Sequence, residues 1–102
     1  MSEGSTARSF RAIPELGVDS ARLVICGEID LAAVPRFERS LVTFERLAEG
    51  RRITLDLSRI AFIDVAGWRA LNAMRRRVER RGARCDVLVP CGPAKRVFEL
   101  LD

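Results

Sequence analysis

The chain has 102 residues, 48% of them apolar, with 18 basic and 14 acidic side chains, a formal charge of +4 and no histidine. That length suits one hydrophobic core, and the missing histidine removes the commonest general base, the commonest zinc ligand and the usual partner of a nucleophilic serine or cysteine. No apolar run nears the roughly 20 residues that cross a bilayer, and the segment Met1 to Thr6 lacks the build of a secretion signal, so a cytoplasmic protein with no direct membrane insertion is expected.

Residues 1–7 read as a disordered N-terminal tail and residues 8–102 as one domain. Phe10 to Leu16 reads as a weak first strand. Ala21 to Cys26, rich in apolar and β-branched side chains and ending at Gly27, reads as a buried second one. After Asp30 the period changes. Val34, Phe37, Leu41, Phe44 and Ala48 recur three or four apart and define one face of a helix, with Pro35 in its first turn and Gly50 as its stop.

Ile53 to Leu57 alternates as a third strand, and Ser58-Arg59 separates it from the short apolar run Ile60 to Ile63. A second amphipathic helix begins near Ala66, with Gly67, Ala70, Leu71, Met74 and Val78 on its core side and Gly82 as a left-handed cap. Arg84 to Val89 reads as a fourth strand ended by Pro90. Ala94, Val97, Phe98 and Leu101 mark a short terminal helix. Strands alternating with helices after an initial β pair imply an α/β fold with a mixed sheet and crossover helices.

Cys26, Cys85 and Cys91 form no Cys-x-x-Cys pair, and their odd number gives no disulfide framework. Cys85 and Cys91 near Asp86 are too loosely spaced for a metal site, so no metal, no cofactor and no catalytic residue is expected, and the chain is read as a binding module rather than an enzyme. Arg69 to Arg84 holds seven arginines against one glutamate, a charge of +6 in one segment with −2 elsewhere. These arginines read as fanning around the helix with no interleaved aromatics, which argues against a nucleic-acid partner. On a helical wheel Arg69, Arg76 and Arg80 oppose the core, whereas Trp68 sits a quarter turn from its centre and is expected to be half buried, beside Val65 and Asn72. Asp64 precedes this helix where an N-cap belongs, and Asp30 holds the matching place before the first helix.

Gly27-Glu28-Ile29-Asp30, a helix, Ile53-Thr54-Leu55-Asp56-Leu57-Ser58, then Phe62-Ile63-Asp64, Gly67 and a second helix together resemble the STAS domain of bacterial anti-sigma factor antagonists. The resemblance runs from about Arg8 to the end. It implies a STAS-like fold, a four-to-five-stranded mixed sheet with helices packed mainly on one face. It further implies a partner, an anti-sigma factor of the serine kinase type, and hence a role in transcription regulation. Family members switch through a Ser or Thr in an Asp-Ser-Ser/Thr-Gly motif, where added phosphate disrupts docking. Aligned on Asp64 and Gly67, the hydroxyl positions here are Val65 and Ala66, a degenerate phosphosite that cannot be phosphorylated. The expected partner-binding set joins the motif positions Asp30, Ser58, Asp64 and Gly67 to Val65, Trp68 and Asn72 from the wheel. A homodimer is left open, and the alternative job for the same fold is an accessory subunit of a lipid transport or stress-signalling complex.

Overall fold

The computed structural model describes residues 10–90; the expected tail, Cys91 and the terminal helix lie outside them. The elements run β1 (Phe10–Leu16), β2 (Ser20–Ile29), a 3-10 turn (Leu31–Ala33), α1 (Val34–Leu47), β3 (Arg52–Ile63), α2 (Val65–Arg80) and β4 (Cys85–Leu88). The sheet order is β1-β2-β3-β4, with β1 antiparallel to β2 and the other pairs parallel. Each parallel pair is bridged by one helix. Because such crossovers are right-handed and the strands follow in order, α1 and α2 fall on the same face of the sheet.

That face carries the core. Ala21, Leu23, Ile25 and Ile29 of β2 and Ile53, Leu55, Leu57 and Ile60 of β3 are buried, under Phe37, Leu41 and Phe44 of α1 and Leu71, Met74 and Val78 of α2. The helical faces expected from periodicity are the buried ones. Phe10 meets Phe37 edge-on with ring centroids 5.7 Å apart, and the Arg36 guanidinium lies 4.9 Å over the Phe10 ring, which ties the outer strand β1 to α1. Pro14 is tolerated because β1 is an edge strand. At the far end of α2, Gly82 adopts φ +87° and the N–H of Ala83 donates to Val78 while that of Gly82 donates to Glu79, the bond pair of a Schellman cap.

One expectation about β3 is corrected. Ser58-Arg59 does not divide two runs; a single 12-residue strand continues through them. The break in alternation is a bulge: Val24 pairs with Asp56 but Cys26 pairs with Arg59, so the buried set changes from odd positions to Ile60. A bulged residue loses its ladder partner, and here Asp56 Oδ1 accepts both the Ser58 N–H (2.9 Å) and the Ser58 hydroxyl (2.6 Å). Asp56 Oδ2 accepts from Arg22 at 2.9 Å. Burial works to raise the Asp56 pKa, but the Ser58 and Arg22 hydrogen bonds outweigh it and hold the carboxyl below its ordinary value.

Candidate functional site

Two parallel strands end together and each turns into a helical segment behind an aspartate. Ile29 pairs with Ile63, and the Asp64 N–H donates to the Ile29 carbonyl at 2.7 Å, so Asp30 and Asp64 leave the sheet side by side. Asp30 Oδ1 accepts from the Ala33 N–H at 3.0 Å, and Asp64 Oδ1 accepts from the Ala66 N–H at 2.8 Å. Both aspartates are therefore caps, with extended backbones, at the positive ends of the segments they open.

Around these caps the surface is apolar. Leu31 is 67% exposed, Phe62 51% and Val65 42%. Val65 occupies the first helical position and Ala66 behind it is part-buried. Glu28, paired with Phe62, adds a third carboxylate at this end. Gly67 is buried: a Cβ there would lie 3.0 Å from Ile29 Cγ2 and 3.1 Å from Ile63 Cγ1, tighter than ordinary contact, so glycine lets the first turn of α2 press closely onto both strand ends. The geometry offers an apolar contact area edged by carboxylates on a rigid, capped support.

The seven residues singled out by sequence do not all meet. Asp30, Asp64 and Val65 are together at the surface, with Gly67 directly under them. Ser58 is exposed but sits in the β3 bulge, six residues before Asp64, or about 20 Å at strand rise, bonded to Asp56. Asn72 lies two turns into α2 and is part-buried, its Oδ1 atom buried without a hydrogen-bond partner among the described residues. Trp68 is corrected: it is 6% exposed, a core residue rather than a half-exposed anchor. A wheel gives the angle about one helix axis, and the indole is long enough to reach cover that lies off the helix.

Sequence reasoning missed Leu31 and Phe62. A signal existed for Leu31, an apolar residue that fits neither the β2 alternation nor the α1 stripe. Phe62 belongs to the short apolar run Ile60 to Ile63, and its pairing with the exposed Glu28 puts it on the sheet face opposite the helices. The arginines, expected to fan out, divide into paired and unpaired sets. Arg77 and Arg81 each reach Glu45 of α1 at 2.9 Å, and the hydrogen bond from Arg77 is the main reason the Glu45 carboxyl is held below its ordinary value, against a burial that would raise it.

Among the described residues no group of three His, Cys, Asp or Glu side chains could hold a metal ion, and no helix is long and apolar enough to cross a membrane. Cys85 is buried, and burial pushes its thiol up to about 12.

Among the described residues, a mixed four-stranded sheet with two helices on one face defines a small α/β domain of STAS-like fold. The chain belongs to the STAS domain family, whose model matches residues 18–102. Its fold is similar to the crystal structure of an anti-sigma factor antagonist from Mycobacterium paratuberculosis, at TM-score 0.77 and 23% identity over 91% of this chain and 78% of that one. It is also similar to the anti-sigma factor antagonist SpoIIAA in its unphosphorylated form, at TM-score 0.70 and 21% identity over 88% of this chain and 79% of that one. A third similar structure is the STAS domain of an antisigma-factor antagonist from Rhodobacter sphaeroides, at TM-score 0.65 and 21% identity over 78% of this chain and 86% of that one.

Proposed function

We propose that this STAS domain is a non-enzymatic, cytoplasmic docking module of the anti-sigma factor antagonist kind, which engages an anti-sigma factor of the serine kinase type and so regulates transcription. The docking face is centred on Asp30, Asp64 and Val65 and includes Leu31 and Phe62, with Gly67 supporting it from below. Val65 and Ala66 leave this face without a phosphoacceptor. The observation that carries the reading is the apolar trio Leu31, Phe62 and Val65, exposed at the one end of the sheet where two capped strand termini make the backbone rigid.

A protein of this kind binds through preformed shape, since the caps remove the freedom of the turn before the partner arrives. With no hydroxyl at the first two helical positions, docking persists when the kinase turns over ATP. The experiment is titration of the purified domain against candidate anti-sigma serine kinases, with Leu31→Arg and Val65→Arg as probes. Both substitutions replace exposed apolar side chains, so the fold stays intact while binding weakens by about tenfold or more. Undiminished binding in both variants would overturn this face.

A further inference from the structure

Arg69, Arg76 and Arg80 are exposed, and none has a hydrogen-bond or ion-pair partner among the described residues, whereas Arg77 and Arg81 are engaged by Glu45 and Arg84 lies 3.6 Å from Asp86. At about 100° per residue these three share one sector with Val65 and Ala73, opposite the buried Gly67, Leu71, Met74 and Val78. From Arg69 to Arg80 the stripe is about 16 Å long.

A self-sufficient surface helix matches each cation with a carboxylate three or four residues away. Here Arg76 stands four residues from Arg80, a like-charge pair, and Glu79, the only acid in α2, is three residues from Arg76 but leaves Arg69 and Arg80 with no carboxylate three or four residues away. The stripe therefore costs the free protein stability and asks for an anion from outside. Its upper end is Val65, one turn from Arg69, so the stripe continues directly from the apolar patch.

We propose that the outer face of α2 binds an acidic protein segment, whose carboxylates run along Arg69, Arg76 and Arg80 and whose apolar end seats on Val65 and Leu31; this rests on the docking face described above. A protein segment is favoured over a phosphate polymer or an anionic membrane because the stripe begins at the apolar Val65 behind the capping carboxylate Asp64, where an apolar side chain is accepted and a chain of uniform negative charge is repelled, and because the stripe holds no aromatic ring for base stacking.

The test uses a synthetic helical peptide with glutamates at the spacing of the three arginines and a leucine one turn beyond, followed by fluorescence anisotropy at low ionic strength. Binding is expected to fall by about tenfold or more in the triple variant R69E/R76E/R80E and in Val65→Arg, and to exceed that of a scrambled peptide of equal charge. Equal binding by the triple variant, or by the scrambled peptide, would overturn the proposal, as would displacement of the peptide by a single-stranded oligonucleotide or by phosphatidylglycerol vesicles. The same variants assayed with an anti-sigma kinase separate the two readings. Kinase binding lost in Leu31→Arg but kept in the triple variant refutes the stripe alone; peptide binding lost in the triple variant with kinase binding unaffected by Leu31→Arg and Val65→Arg refutes the docking face alone.

Discussion

The backbone N–H of Asp64 donates to the carbonyl of Ile29 across 2.7 Å, so the first residue beyond β3 is still stitched to the last residue of β2. One hydrogen bond thereby aligns two exits from the sheet, and the aspartate at each exit is free to cap the turn that follows. The position of the proposed docking face follows from this register. Its chemistry follows from which side chains the two turns leave outside.

Removing the cap at the second exit leaves an N–H of α2 without its acceptor. Asp64→Ala is expected to destabilise the domain by about 1 kcal/mol, a fall of roughly 4–8 °C in Tm for a domain of this size. Asp30→Ala should cost less, since it caps only a three-residue turn. Thermal unfolding followed by circular dichroism measures both. Equal stability of Asp64→Ala and wild type would show that water replaces the carboxylate at no cost.

Gly67→Ala sets two effects against each other. Alanine favours the helix by up to about 1 kcal/mol over glycine, but its Cβ would meet Ile29 Cγ2 at 3.0 Å and Ile63 Cγ1 at 3.1 Å, on strands that are themselves packed. Overpacking of this kind costs about 1–3 kcal/mol, so a net loss of roughly 1 kcal/mol is expected in urea unfolding. A stabilised variant would mean that the first turn of α2 lifts freely from the sheet.

Val65→Ser places a hydroxyl at the exposed first helical position. The substitution should change stability by less than about 0.5 kcal/mol. Incubated with a docking kinase and ATP, the variant is expected to gain one phosphate by intact mass measurement while the wild type gains none. Phosphate on wild-type Ser58 is not expected, because its hydroxyl already donates to the Asp56 carboxylate and a phosphate there would face that charge. An unmodified Val65→Ser in the presence of a bound kinase would contradict the assignment of the switch position.

Glu45 and Asp56 set the acid limit. Both carboxyls have folded pKa values below the ordinary 4.5 and 3.8, so each contributes stability that is present above those values and lost as pH falls through the folded ones. Glu45→Gln is expected to lose about 1 kcal/mol at neutral pH, the scale of a partly exposed ion-pair network. The gap between variant and wild type should begin to narrow near pH 4.5 and close as pH falls through the lower folded value, where Glu45 protonates in the native state as well. Urea unfolding between neutral and acid pH reads this directly; a constant gap across the range would show that the Arg77 and Arg81 contacts act through shape alone.

Much of the architecture was legible locally. The alternation in β2 and the three-to-four spacing of Val34, Phe37, Leu41 and Phe44 are properties of a chain against its own axis, and the helix ends at Asp64 and Gly82 are written in residues that satisfy or relax the backbone next to them. The family followed from the order of these short segments, because each had to match in type and in sequence.

What the residues in line could not decide was which side chains their distant neighbours cover. Trp68 lies on a helix flank and is buried, whereas Phe62 belongs to an apolar run and is exposed, because the sheet turns Phe62 toward the face opposite α1 and α2. Arg77 and Arg80 are alike in sequence, yet only Arg77 meets Glu45, 32 positions away on α1. Local pattern sets each element's period and ends, since those depend on neighbouring backbone groups. Exposure and pairing depend on contacts between elements far apart in the chain, and only the packed sheet and helices settle them.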